Sequence, residues 1–211
     1  MLEYETRAIV LAKKTVGETD GRIALYTEEL GKVDAIAKGL KKIIAKLSHH
    51  LEPLNLIQCS IVSANNKHLT SALTINSFLN IRKNEAALFV ALKNVEILNQ
   101  AFSMPEPDKI LWKKLNGFLE NLDSLSLRGD VNAIKALGIY FLFCLADILG
   151  VMPEIIEELP NFRDLKAEDV HIFKELMQKR NGFASLDLAV FSKMDYNRIE
   201  QEIKKLIIYN I

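Results

Sequence analysis

Apolar positions in the first third of the chain come in short runs with strand spacing, whereas those in the remainder recur every three or four residues. Residues 6 to 14 (TRAIVLAKK) form a compact β-branched run ending in two lysines. From Arg22 to Thr27, Ile23, Leu25 and Thr27 alternate with Arg22, Ala24 and Tyr26, the pattern of a strand with one face buried. That parity puts Tyr26 on the polar face, where it can be exposed or can cover a barrel rim with its hydroxyl in water. Glu28-Glu29-Leu30-Gly31 reads as a tight connection with Gly31 free to take positive φ, and the next strand is Lys32 to Lys38. Two further strands are predicted at Leu54–Ser63 and Leu69–Leu79, joined through the polar turn Asn65-Asn66-Lys67. In the first of them the apolar parity shifts between Leu56 and Ile57, which marks a bulge. Five short strands in about 80 residues suit a small closed or partly closed barrel such as an OB-fold, and an SH3-like barrel or a small sandwich gives nearly the same pattern.

From about residue 82 the period becomes helical. Leu88, Leu92, Val95, Leu98 and Phe102 make one amphipathic stripe, and Pro105 and Pro107 break the chain after it. Leu111, Leu115, Phe118 and Leu122 mark a second helix. Asp130 is placed to N-cap a third, apolar nearly all round, which stops at Gly150 with Pro153 beyond. A helix without a polar face belongs at the centre of a bundle. Further helices are predicted from Ala167 to Arg180 and from Tyr196 to Tyr209, the last with Asp195 as N-cap. The whole reads as an α+β chain, all-β and then all-α. An OB-fold-like five-stranded barrel (1–80) is expected to pack on a helical bundle (81–211).

Composition narrows the function classes. The 211 residues are 49% apolar and 26% charged, ordinary for a globular protein. Lysine plus arginine equals aspartate plus glutamate at 27 each, which argues against indiscriminate nucleic-acid binding but leaves local patches open. Two distant cysteines, Cys59 and Cys144, give neither a disulfide framework nor a paired-cysteine zinc site, and a reducing cytoplasm is the plain expectation. Met1 to Arg7 is polar and lacks the apolar segment of a secretory signal. The most apolar stretch, Ala136 to Ala146, is well short of the ~20 residues that span a bilayer, so no membrane association is expected.

Charge is concentrated at one place. Residues 32 to 50 (KVDAIAKGLKKIIAKLSHH) hold Lys32, Lys38, Lys41, Lys42 and Lys46 against Asp34 alone, a local excess of +4. Flexible lysines beside a small barrel suit non-specific phosphate contact, since each neutralised phosphate releases counterions. A solvated loop whose lysines serve solubility is the plainer alternative. The barrel half offers few aromatics for base stacking, namely Tyr4, Tyr26 and Phe78, which favours backbone contact over base readout. Catalytic chemistry finds no footing: His49 and His50 are adjacent, His68 and His171 are isolated, and no nucleophile, Walker or metalloprotease motif occurs. The chain is read as a non-enzyme without cofactor or metal.

The run Gly17 to Lys42 (GETDGRIALYTEELGKVDAIAKGLKK) resembles the N-terminal signature of RecO, the bacterial recombination mediator family. There, a G-E-x-D/S strand leads to a T-E-x-x-G-K/R hairpin and then to A-K-G followed by basic residues. The family's L-x-P-x-x-x-L stretch is matched by Leu51, Pro53 and Ile57. In the helical half, Phe141 to Pro153 (FLFCLADILGVMP) is similar to a core helix ending in L-G-Y/V-x-P.

The resemblance implies a mediator in DNA repair and recombination that binds single- and double-stranded DNA and anneals complementary strands. It implies work with RecR to load RecA, contact with the C-terminal tail of single-stranded-DNA-binding protein, and a cytoplasmic, nucleoid-associated location. Lys38, Lys41 and Lys42 match the family's basic loop, with Lys46 in the same segment and Arg22 and Lys32 on flanking strands; these are the expected phosphate contacts. Two departures stand out. Glu154 to Lys166 contains no cysteine where many members carry a four-cysteine zinc module. Ile139, Tyr140, Phe141 and Leu142 stand where some members place charged residues that help form the tail pocket. Lys135, one turn earlier, is a candidate cation for a tail carboxylate, with an ordinary solvent-facing lysine as the plainer reading. The rival class is a protein-interaction adaptor of the same shape with weak DNA affinity.

Overall fold

A computed structural model describes residues 2–16, 20–37, 47–63, 66–102, 106–159, 165–178, 190–191 and 194–209. Five strands, β1 (Leu2–Val16), β2 (Asp20–Thr27), β3 (Gly31–Ala37), β4 (Leu56–Ser63) and β5 (Lys67–Asn76), close into a barrel in the order β1-β2-β3-β5-β4. Neighbours are antiparallel except β3 and β5, which run parallel and meet at Ile36 and His68. This is the Greek-key arrangement of an OB-fold, which resolves the choice the strand pattern left open.

β1 is longer than its apolar run because it serves two partners: Leu2–Ile9 lies along β4 and Ala8–Val16 along β2. The exchange is made at a bulge between Val10 and Ala12. Val10 donates to the Asn55 carbonyl at 3.0 Å and accepts from the Leu54 amide at 2.8 Å. Leu54 takes φ 75° to do this, so β4 starts at Leu56 rather than at Leu54. The register shift between Leu56 and Ile57 is present as the parity predicts. β5 ends at Asn76 rather than Leu79, because the Asn76 side chain accepts from the Phe78 amide at 2.9 Å and Phe78 turns to φ 49°. Inward residues such as Val10, Ile23, Leu25, Val33, Ile57 and Ile61 fill the barrel, and Leu51 plugs it from the β3–β4 connection.

Six helices follow among the described residues: α1 (Leu79–Lys83), α2 (Glu85–Ala101), α3 (Lys109–Arg128), α4 (Val131–Ile148), α5 (Ala167–Gln178) and α6 (Tyr196–Tyr209). Asp130 caps α4 by accepting from the Ala133 amide, and Asp195 accepts from the Arg198 amide at the start of α6. α4 is long and apolar enough to cross a membrane by length and composition, yet residues 133–146, apart from half-buried Lys135, are buried inside the protein. At its centre Gly138 allows close approach: a Cβ there would stand 2.5 Å from Val90 and 3.4 Å from the Tyr196 hydroxyl. Buried Glu200 pairs with Lys93 at 2.7 Å and buried Asp169 with Arg198 at 2.7 Å.

The chain forms two compact units. One contains Met1–Leu79 with Val95–Leu119, so the barrel shares it with the C-terminal part of α2 and the first part of α3. The other contains Asn80–Asn94 with Glu120–Ile211, built around α4.

Candidate nucleic-acid interface

Residues directly opposite one another on paired strands point to the same face. On the outside of the β2–β3 ribbon the register gives three rungs: Arg22 opposite Ile36, Ala24 opposite Asp34, and Tyr26 opposite Lys32. The first rung continues to Lys14 on β1 and His68 on β5. The ribbon's two ends then differ completely.

At the turn end the outward residues are covered by residues 95–119 of the same unit. Tyr26 is fully buried, edge-on to Phe102 with ring centroids 6.2 Å apart. Burial, and then the nearby Asp108 carboxylate, push its phenol up to about 12. Tyr26 is therefore no stacking platform, although its strand parity is outward as read from sequence. The Lys32 ammonium donates to the carbonyls of Asn99 and Phe102, where a cation meets the C-terminal end of α2. Desolvation holds its pKa below the ordinary lysine value. Arg7 forks onto Glu28 at 2.8 and 2.7 Å and lies 5.9 Å over the Trp112 ring. The hydrogen bond from Arg7 keeps the Glu28 carboxylate below its usual range. Gly31 has φ 65°, and a Cβ there would collide with the Glu106 carbonyl.

The opposite end is open. A cavity of about 310 Å³ is formed by Asp20, Gly21 and Arg22 of β2, Asp34 and Ile36 of β3, and Asn66 and Lys67 at the β4–β5 turn. Arg22 and Asp34 form an exposed ion pair at 3.2 Å, with side chains 60% and 42% accessible. Among the described residues, two cations and two carboxylates thus line the cavity. Exposed Lys14 continues the Arg22 rung on β1.

β3 ends at Ala37, opposite Gly21 at this same open end, and the described chain resumes at Leu47. Lys38, Lys41, Lys42 and Lys46 lie between these points, outside the described residues. The root at Leu47 is firmly held. Leu47 packs against the barrel core, and Lys13 donates to Ser48 Oγ at 2.9 Å and pairs with Glu52 at 3.0 Å. His50 Nδ1 accepts from the Thr74 amide at 3.0 Å. Desolvation, with the neighbouring His49 adding to it, lowers the His50 pKa.

Of the residues singled out from sequence, Arg22 stands at the open end and Lys32 at the covered end. Lys135 is half-buried on α4, in the other unit. Lys67 was not among them. Its only signal was a cation in a polar turn, and the barrel order carries that turn to the end of β2 and β3. Strands 2 and 3 with the β1–β2 and β4–β5 loops form the usual ligand face of this fold.

Residues 1–78 match the family model described as recombination protein O, N terminal. This N-terminal domain is thus similar to that of the RecO family. It is 32% identical over 123 residues to a DNA repair protein RecO of Dehalococcoides mccartyi strain BAV1, covering 58% of this chain and 49% of that protein. With the DNA repair protein RecO of D. mccartyi strain 195 it shares 29% over 156 residues, 74% of this chain and 59% of the relative. The DNA repair protein RecO of Geobacter metallireducens is 31% identical over 124 residues, 58% of this chain and 51% of its own length. The chain thus spans about half of these RecO relatives.

Proposed function

We propose that this chain is a non-catalytic RecO-type mediator of DNA repair and recombination in the bacterial cytoplasm. It binds single- and double-stranded DNA through the phosphate backbone and anneals complementary strands. It works with RecR in loading RecA and meets single-stranded-DNA-binding protein through its tail, for which Lys135 is the candidate cation. The observation that carries this reading is an OB-type barrel within the RecO match whose β2–β3 face is open where the lysine-rich segment leaves it. Arg22, Lys14 and Lys67 stand at that end, and Lys38, Lys41, Lys42 and Lys46 follow in the chain. Lysines that screen two phosphate backbones let strands approach and leave the pairing energy to the bases.

The test is a titration of the full chain with labelled single-stranded DNA across a range of salt. Native protein is expected to bind without strong sequence preference and to weaken steeply with salt. The triple variant Lys38→Glu, Lys41→Glu, Lys42→Glu is expected to lose binding at moderate salt, and removing three phosphate contacts flattens the salt slope by about 2. Unchanged affinity contradicts the site. The adaptor reading is favoured by the balanced charges of the cavity's described lining and by the burial of Tyr26. No binding by native protein at low or moderate salt selects it.

A further inference from the structure

We infer that the open-end cavity is a single-nucleotide pocket that favours bases carrying an exocyclic amino group, with Asp34 as the discriminating residue. This rests on the DNA-binding reading above and adds to it a modest base preference, where backbone contact alone gives none of this kind.

Backbone neutralisation alone calls for a surface of cations. The cavity is different. Arg22 and Lys67 share it with Asp20 and Asp34, and its volume of about 310 Å³ is at the small end of the range for ligand sites. Ile36 supplies an apolar part of the lining, on the same rung as Arg22. Asp34 reaches Arg22 through Oδ2, and the pair is open to solvent, so a nucleotide can enter without breaking a buried interaction. Phosphate then has Arg22 and Lys67 to meet, and the base edge meets carboxylate oxygens.

A carboxylate is an acceptor only. It takes a hydrogen bond from the N4 amine of cytosine, whereas thymine presents a carbonyl oxygen at the same place and is repelled. Cytosine and thymine make the sharpest comparison because both are single-ring bases, so stacking and backbone stiffness differ little between them. Asp34 also sits beside the cations that meet phosphate, so its removal has two separable consequences. Overall affinity rises as a negative charge leaves, and discrimination disappears.

The experiment is a competition at neutral pH between short oligo-dC and oligo-dT of equal length for the full chain, repeated with Asp34→Ala. One charge-assisted hydrogen bond at a solvent-exposed site predicts dC over dT by about three- to tenfold in native protein. The ratio is expected to fall to about one in the variant while its affinity for both strands holds or rises. Equal native affinities for dC and dT, or a preference that survives Asp34→Ala, overturn the pocket and leave the backbone-binding reading standing. Failure of native protein to bind either strand overturns both.

Discussion

At one end of the β2–β3 ribbon, Tyr26 and Lys32 face outward and lie beneath residues 95–119. At the other, Arg22 and Ile36 face outward by the same parity and border open space. Strand alternation decides which side of the sheet a residue takes, and a distant segment decides whether that side meets water. Two basic residues ten positions apart thus have opposite fates. Lys32 is held by two carbonyls at a helix end, and Arg22 keeps most of its side chain accessible to solvent. Substitutions at the covered end should therefore change stability without changing DNA contact, and those at the open end the reverse.

The largest expected effect is at Tyr26. Its ring is fully buried against Phe102, and Tyr26→Ala should destabilise the chain by about 3–5 kcal/mol in chemical denaturation, as for other large-to-small changes at buried aromatics. A loss below about 1 kcal/mol would mean that residues 95–119 do not cover the ribbon in solution. Gly31→Ala comes next. It combines a left-handed backbone with a collision against the Glu106 carbonyl, and at least about 2 kcal/mol should be lost. If Gly31→Ala folds, its affinity for single-stranded DNA should match native protein.

Much of the fold was legible because short-range rules decided it. The period change near residue 80, the parity shift at Leu56–Ile57, the positive φ of Gly31 and the aspartate caps at Asp130 and Asp195 all act within a few residues of their cause. The misses share the opposite character. β1 runs past its apolar core because pairing with β4 supports Glu3 and Glu5 as strand residues. β5 stops early because Phe78 is drawn into the interior in a left-handed turn. Tyr26 is buried by Phe102, and Lys67 is brought beside Arg22 by the barrel order, neither of which a local window contains. For the site, charge density marked the segment after β3 and the family signature marked its neighbourhood. The division of the ribbon into covered and open ends required the tertiary structure.

The smallest effects on stability accompany the most direct test of that division. Arg22→Ala and Lys32→Met are to be titrated side by side with single-stranded DNA over a range of salt. The Arg22–Asp34 pair is exposed, so Arg22→Ala should alter stability by no more than about 0.5 kcal/mol. It should nevertheless weaken binding and reduce the salt slope by about 0.7, the loss of one phosphate contact on a single strand. Lys32→Met should lower stability by about 1–2 kcal/mol, since two carbonyls lose their cation, and leave affinity and slope at native values. The reverse result, with Lys32→Met weakening DNA binding and Arg22→Ala leaving it untouched, would contradict the assignment of the open end as the DNA surface.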